Sequence, residues 1–170
     1  MRTPSTDPEA PRYSDRPLPS YRHLPFRNAH PFLDEEGHSY GEKLAPIEGF
    51  GPDNWMDCDE YLYAVDLFNN GFWWEAHERL KHVSIGAGRE SKTGVFVQGL
   101  IQLSAALLKY SMEEYAAAQT LAELGLGNLE ADTNPFLGVD AVAFKRAVLD
   151  CLAVAESGYP SIRLAGIGLH

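Results

Sequence analysis

The chain has 170 residues, 45% hydrophobic and 22% charged, which is enough for one domain with a proper core. Its 24 acidic against 14 basic residues leave a formal net charge of −10. That balance argues against general binding to a nucleic-acid phosphate backbone and against an anionic membrane surface. The first residues contain no apolar secretory core, and no stretch approaches the roughly 18 apolar residues of a membrane span. A cytoplasmic protein with no nucleic-acid or membrane partner is therefore expected. The two cysteines, Cys58 and Cys151, have no metal-like spacing and read as buried or half-buried free thiols.

Residues 1–55 hold nine of the eleven prolines, from Pro4 to Pro52. Proline removes a backbone donor and blocks helix interiors, so this segment reads as an extended arm, with about the first 15 residues disordered. From Tyr21 onward it carries Leu24, Phe26, Phe32, Leu33, Tyr40, Leu44, Ile47 and Phe50. An arm this apolar is expected to lie across a folded body.

Residues 56–170 form the expected helical domain. Asp57 or Asp59 can cap a first helix that runs to Asn69 or Asn70, with Gly71 as the residue beyond its end. A second helix follows from about Phe72 to Ile85, and Gly86 to Gly94 is a loop. A third runs from about Val95 to Ser111, a fourth from about Met112 to Leu129, and Asn134-Pro135 marks a turn. A fifth starts near Asp140 and ends before Gly158. No strand pattern appears. The expected fold is all-α, a compact bundle of about five antiparallel helices with the proline-rich arm packed on it.

Helix faces locate the polar chemistry. The third helix is apolar nearly all round, apart from a stripe of Gln98, Gln102 and Lys109. An unpaired buried amide costs ~1–3 kcal/mol, so these groups need partners or a pocket. On the second helix Phe72, Trp73, Ala76, Leu80 and Val83 share the core face. Glu75, Glu78 and His82 share nearly the opposite face, and His77 sits at the border. If that face is solvated, Glu75–Arg79 and Glu78–His82 are ordinary pairs four residues apart. If it meets another segment, two carboxylates around an imidazole can ligate a divalent cation or form an acid–base pair. Asp66 is a lone acid among apolar neighbours in the first helix and calls for a partner. The arm segment His30-Pro31-Phe32-Leu33-Asp34-Glu35-Glu36-Gly37-His38-Ser39-Tyr40-Gly41 can lay His30, Asp34 or His38 against that site.

The run Leu67-Phe68-Asn69-Asn70-Gly71-Phe72-Trp73-Trp74-Glu75-Ala76-His77-Glu78 is followed some twenty residues later by Val97-Gln98-Gly99-Leu100-Ile101-Gln102-Leu103-Ser104-Ala105-Ala106. Together they resemble the domain of unknown function 309 family, over roughly residues 57–130. The resemblance implies a small all-α fold and no established activity. It carries over best to Asn69, Gly71, Glu75, His77, Glu78, Gln98 and Gln102. The chain departs from the family pattern at Lys81, where an acid is usual, and at Ser84, where a Trp is usual. Met112-Glu113-Glu114 stands where a Gly-Asn step is common.

Two functions follow as expectations. In the first, Glu75, His77, Glu78 and His38 bind a divalent metal. His77 or Glu78 then acts as general base in a hydrolytic reaction, with Asp66, Asn69, Gln98 and Gln102 in support. In the second, the protein is a non-catalytic helical scaffold or partner-binding domain and the same cluster is structural. The sequence names no substrate, and either a small molecule, a protein partner or a homo-oligomer is compatible with it.

Overall fold

The computed structural model describes residues 6–154 and 157–167. Five helices pack together: α1 (Asp59–Asn69), α2 (Trp73–Ala87), α3 (Lys92–Ser111), α4 (Tyr115–Asn128) and α5 (Ala141–Ala153). A single 3-10 turn, Trp55–Asp57, precedes α1. No strand occurs among the described residues beyond an isolated bridge between Phe136 and Val139. No helix among them is long and apolar enough to cross a membrane. The all-α expectation stands.

Local chemistry sets the helix ends. Gly71 follows α1 with φ of +81°, the left-handed turn expected of it, and lets the chain reverse into α2. Neither Asp57 nor Asp59 caps α1; Cys58 occupies that position without a side-chain bond. Helix α3 starts three residues earlier than expected, because Ser91 Oγ accepts from Gly94 N and closes the first turn. Asp140 caps α5 in the same way through Ala143 N. Ala153 ends α5, and residues 155–156 of its expected C-terminal stretch lie outside the described residues.

Helix α3 is central: Phe96, Val97, Leu100, Leu103, Ala106 and Leu107 are buried between α2 and α4. Helix α5 joins the core through Phe144, which meets Phe68 of α1 edge-to-face at 5.6 Å, and through Val148 and Cys151. Both cysteines are free, and burial pushes the Cys151 thiol up to about 11. Between α4 and α5 the packing opens into a cleft of about 520 Å³, lined by Tyr110, Tyr115, Leu126, Leu149 and Leu152.

The turn from α3 to α4 carries a cost. Glu113 takes φ of +64°, a conformation glycine adopts freely and a side chain does not. Glu113→Gly is expected to leave the melting temperature unchanged or raise it. The gain is up to about 1 kcal/mol, set by relief of this residue against the extra entropy glycine brings to the unfolded chain. Thermal melting followed by circular dichroism reads the sign.

The arm packs on the helices. Tyr13 and Ser14 are buried, so the disorder expected of the first 15 residues does not extend to them; residues 1–5 lie outside the described residues.

Candidate functional site

Four buried polar groups on α1 and α2 hold other parts of the chain. The first is Asp66, fully buried in α1. Its Oδ1 accepts from Tyr13 N at 2.7 Å. Its Oδ2 accepts from Ser14 N at 2.9 Å and Ser14 Oγ at 2.7 Å, with Arg12 Nε 3.1 Å away. Asn69 is the second. Its amide forms a two-way bond with the backbone of Ile162, donating to the carbonyl at 2.8 Å and accepting from the N–H at 2.7 Å. The expectation that Asn69 supports a metal site is replaced by this role: it pins the C-terminal tail to the end of α1.

Glu75 is the third. One carboxylate oxygen accepts from His23 N at 2.7 Å and lies 3.1 Å from His38 Nε2; the other makes no hydrogen bond within the protein. On its far side, His38 Nδ1 lies 2.8 Å from Ser39 Oγ. The fourth, Arg79, is buried beneath the arm. It pairs with Glu60 at 3.3 Å and Glu42 at 2.9 Å, with its guanidinium 5.4 Å from the Tyr63 ring centre. Arg16 of the arm bonds the same Glu60 at 2.6 Å and stacks 4.0 Å over Tyr63. A cavity of about 360 Å³ opens beside this group, lined among others by Arg16, Pro19, His38, Ser39, Tyr63 and Arg79.

Of the two alternatives for this face of α2, solvated or met by another segment, the second holds around Glu75. Glu75 and Arg79 do not pair with one another, and His82 bonds the Ala45 carbonyl at 2.5 Å rather than Glu78. Of the arm's candidates, His38 reaches Glu75. His30 packs edge-on against Trp74 at 5.2 Å, and Asp34 bonds the backbone N–H of His30 within its own turn.

His77 and Glu78 lie elsewhere. At ~100° per residue His77 projects about 160° away from Glu75 on the α2 helix. It faces a cleft of about 310 Å³ toward α3, lined by His77, Lys81, Ser84, Arg89, Gln98 and Ile101. Lys81 and Ser84, two of the three departures noted in the sequence resemblance, both line this cleft. Glu78 Oε1 lies 3.3 Å from His77 Nδ1 and 3.1 Å from Lys81 Nζ. The His77 contact, ahead of Lys81, holds the Glu78 carboxyl below the usual range despite partial burial. Gln102 points the other way and accepts from Asn128 of α4 at 2.7 Å.

This separation undoes the expected metal centre. Among the described residues no group of three or more His, Cys, Asp or Glu side chains could hold a metal ion. Glu75 and His38 form one pair, His77 and Glu78 another, on different faces of α2. Asp66 joins neither, since its partners are Arg12, Tyr13 and Ser14.

Residues 61–121 match the family model of DUF309, a domain of unknown function. The chain carries a DUF309 domain. The match runs from within α1 to within α4, so the arm, α5 and the tail lie outside it. All four buried anchors, Asp66, Asn69, Glu75 and Arg79, belong to the DUF309 domain, and most of what they hold does not. No curated protein matches the chain.

Sequence reasoning missed Arg79, Tyr13 and Ser14. Arg79 left a signal in its position among core residues of α2. Tyr13 and Ser14 left none, because what they mainly give Asp66 is backbone N–H groups.

Proposed function

We propose that the protein is a non-catalytic helical domain whose polar motif clamps its own N-terminal arm and C-terminal tail. The observation that carries this reading is the use of the two buried carboxylates. Asp66 and Glu75 accept from the backbone N–H groups of Tyr13, Ser14 and His23. Those amides have no other outlet in a dry site, so they fix the arm's path as well as its attachment. Glu75→Ala removes the acceptor for both His23 N and His38. It is expected to cost about 2–6 kcal/mol, at ~1–3 kcal/mol for each of the two groups left without a partner. Thermal melting reads the loss, and limited proteolysis within residues 20–42 reads release of the arm. A variant that melts and resists protease like the parent protein overturns the clamp.

One observation favours a second reading. Ser39 Oγ, His38 and Glu75 form a continuous hydroxyl–imidazole–carboxylate relay at 2.8 Å and 3.1 Å beside the 360 Å³ cavity. In acyl transfer Ser39 would attack an ester carbonyl while His38 took its proton and returned it to the leaving alcohol. A fluorophosphonate probe separates the readings. It reacts with an activated serine by forming an O–P bond as fluoride leaves. Labelling of Ser39 that is lost in Ser39→Ala and in His38→Ala overturns the non-catalytic reading. Absence of labelling in a folded sample supports it.

A further inference from the structure

The clamp absorbs Asp66, Asn69, Glu75, His38 and Arg79, and leaves His77 and Gln98 without a task. Both line the cleft between α2 and α3, together with Lys81 and Ser84 from α2 and Arg89 from the loop between the helices. The polar side chains lining this cleft can all donate a hydrogen bond, and no carboxylate is among them. In a chain with 24 acids and 14 basic residues that is an uncommon grouping.

Two of the donors are uncommitted. Neither Arg89 nor Gln98 makes a hydrogen bond or ion pair among the described residues. The buried Ser84 hydroxyl makes only a long bond of 3.4 Å, to the Gly94 carbonyl. Lys81 and His77 share one acid, Glu78, at 3.1 and 3.3 Å. Two fixed positive charges, Lys81 and Arg89, thus stand against one negative charge, before His77 is counted. The surplus sits in a concavity of about 310 Å³, at the small end of the range for ligand sites.

We propose that this cleft binds a phosphate group, free or carried on a small organic molecule, through Lys81, Arg89, His77 and Gln98. The donors come from three separate elements: α2 gives the ammonium and imidazole, the loop the guanidinium, and α3 the amide. Donors lining one concavity from three elements suit a tetrahedral acceptor with three free oxygens better than a planar carboxylate. The surplus of one fixed positive charge over Glu78 favours an anion over a neutral ligand. The site is local, so it is compatible with a net charge that disfavours an extended phosphate backbone. The residues differ from those of the clamp, and this inference goes beyond that reading without depending on it.

The test is calorimetric titration of the full chain at constant ionic strength, with inorganic phosphate in one arm and phenyl phosphate in the other. Acetate is the carboxylate control. The expected result is saturable binding with a dissociation constant of about 1 mM or below in at least one phosphate arm. Tighter binding of phenyl phosphate assigns an organic phosphate, and equal or weaker binding assigns the free ion. Arg89→Ala and Lys81→Ala are each expected to weaken binding by about tenfold or more, through loss of a charge-assisted contact. Both residues are exposed, so both variants are expected to melt like the parent protein. Absence of saturable phosphate binding overturns the proposal, and so do variants that bind like the parent or acetate binding as tightly as phosphate. Failure of the clamp shows instead in the melting and proteolysis of Glu75→Ala, which phosphate does not enter.

Discussion

Asp66→Ala is expected to lower stability by about 3–5 kcal/mol, the range for breaking a buried charge contact. At ~2–4 °C per kcal/mol for a chain of this size, the melting temperature falls by roughly 6–20 °C. The size follows from what the carboxylate does. Fully buried in α1, it accepts from two backbone N–H groups and a hydroxyl and lies against the Arg12 guanidinium. Alanine leaves the two N–H groups and the hydroxyl without an acceptor in a buried site, while Arg12, about a third exposed, keeps the Arg16 carbonyl. The chain has one escape: residues around Arg12 can peel away and hydrate, which caps the cost and exposes the peptide bond after Arg12 to trypsin. Melting and tryptic digestion therefore report the same event from two sides. Asp66→Asn gives an intermediate loss, because an amide has one acceptor oxygen where the carboxylate has two. An alanine variant with unchanged melting and no new cleavage means the arm's other contacts, Glu75 with His23 and His38 among them, hold it without Asp66.

That anchor also marks the limit of what the sequence shows. The need of Asp66 for a partner is legible, since a carboxylate among Tyr61, Leu62, Val65 and Phe68 cannot stay bare. Its partners are not legible, because backbone amides carry no residue signature. Helical periodicity finds all five helices and the core face of α2, where Trp73, Ala76, Leu80 and Val83 are buried. The same arithmetic takes the opposite face as solvated or functional, since it registers one interior. Here a second interior exists under the arm, and it takes Glu75 and Arg79 out of water. The density of polar residues from Asn69 to Glu78 is real, but α2 divides it. Glu75 faces the arm and His77 faces a cleft toward α3, so residues two apart in sequence lie on separate faces.

Gly99→Val is expected to be at least as damaging, for a reason no contact of a side chain reveals. Gly99 of α3 and Gly125 of α4 face one another across a tight contact between the two helices. A Cβ on Gly99 would stand 2.9 Å from the Gly125 carbonyl oxygen and 2.9 Å from Leu129 Cδ2. One on Gly125 would stand 2.8 Å from Leu103 Cγ. Two opposed effects decide the sign. Replacing a helical glycine by alanine gains about 1 kcal/mol in helix propensity. Overpacking a tight contact costs about 1–3 kcal/mol, and here the obstacle includes backbone, which yields only if the helices move apart. Gly99→Ala is therefore neutral to destabilising. Gly99→Val adds two branches where one carbon already collides and is expected to cost more than about 3 kcal/mol or to abolish cooperative unfolding. Gly127 on α4 supplies the control: nothing lies within 4 Å of its would-be Cβ, so Gly127→Ala gains propensity without the clash. The measurement is a set of denaturant melts. Loss in Gly99→Val with gain in Gly127→Ala places a tight contact of α3 and α4 at Gly99. A tolerated Gly99→Val means these helices pack with room for a branched side chain, and the buried position of α3 then rests on Leu100, Leu103 and Leu107.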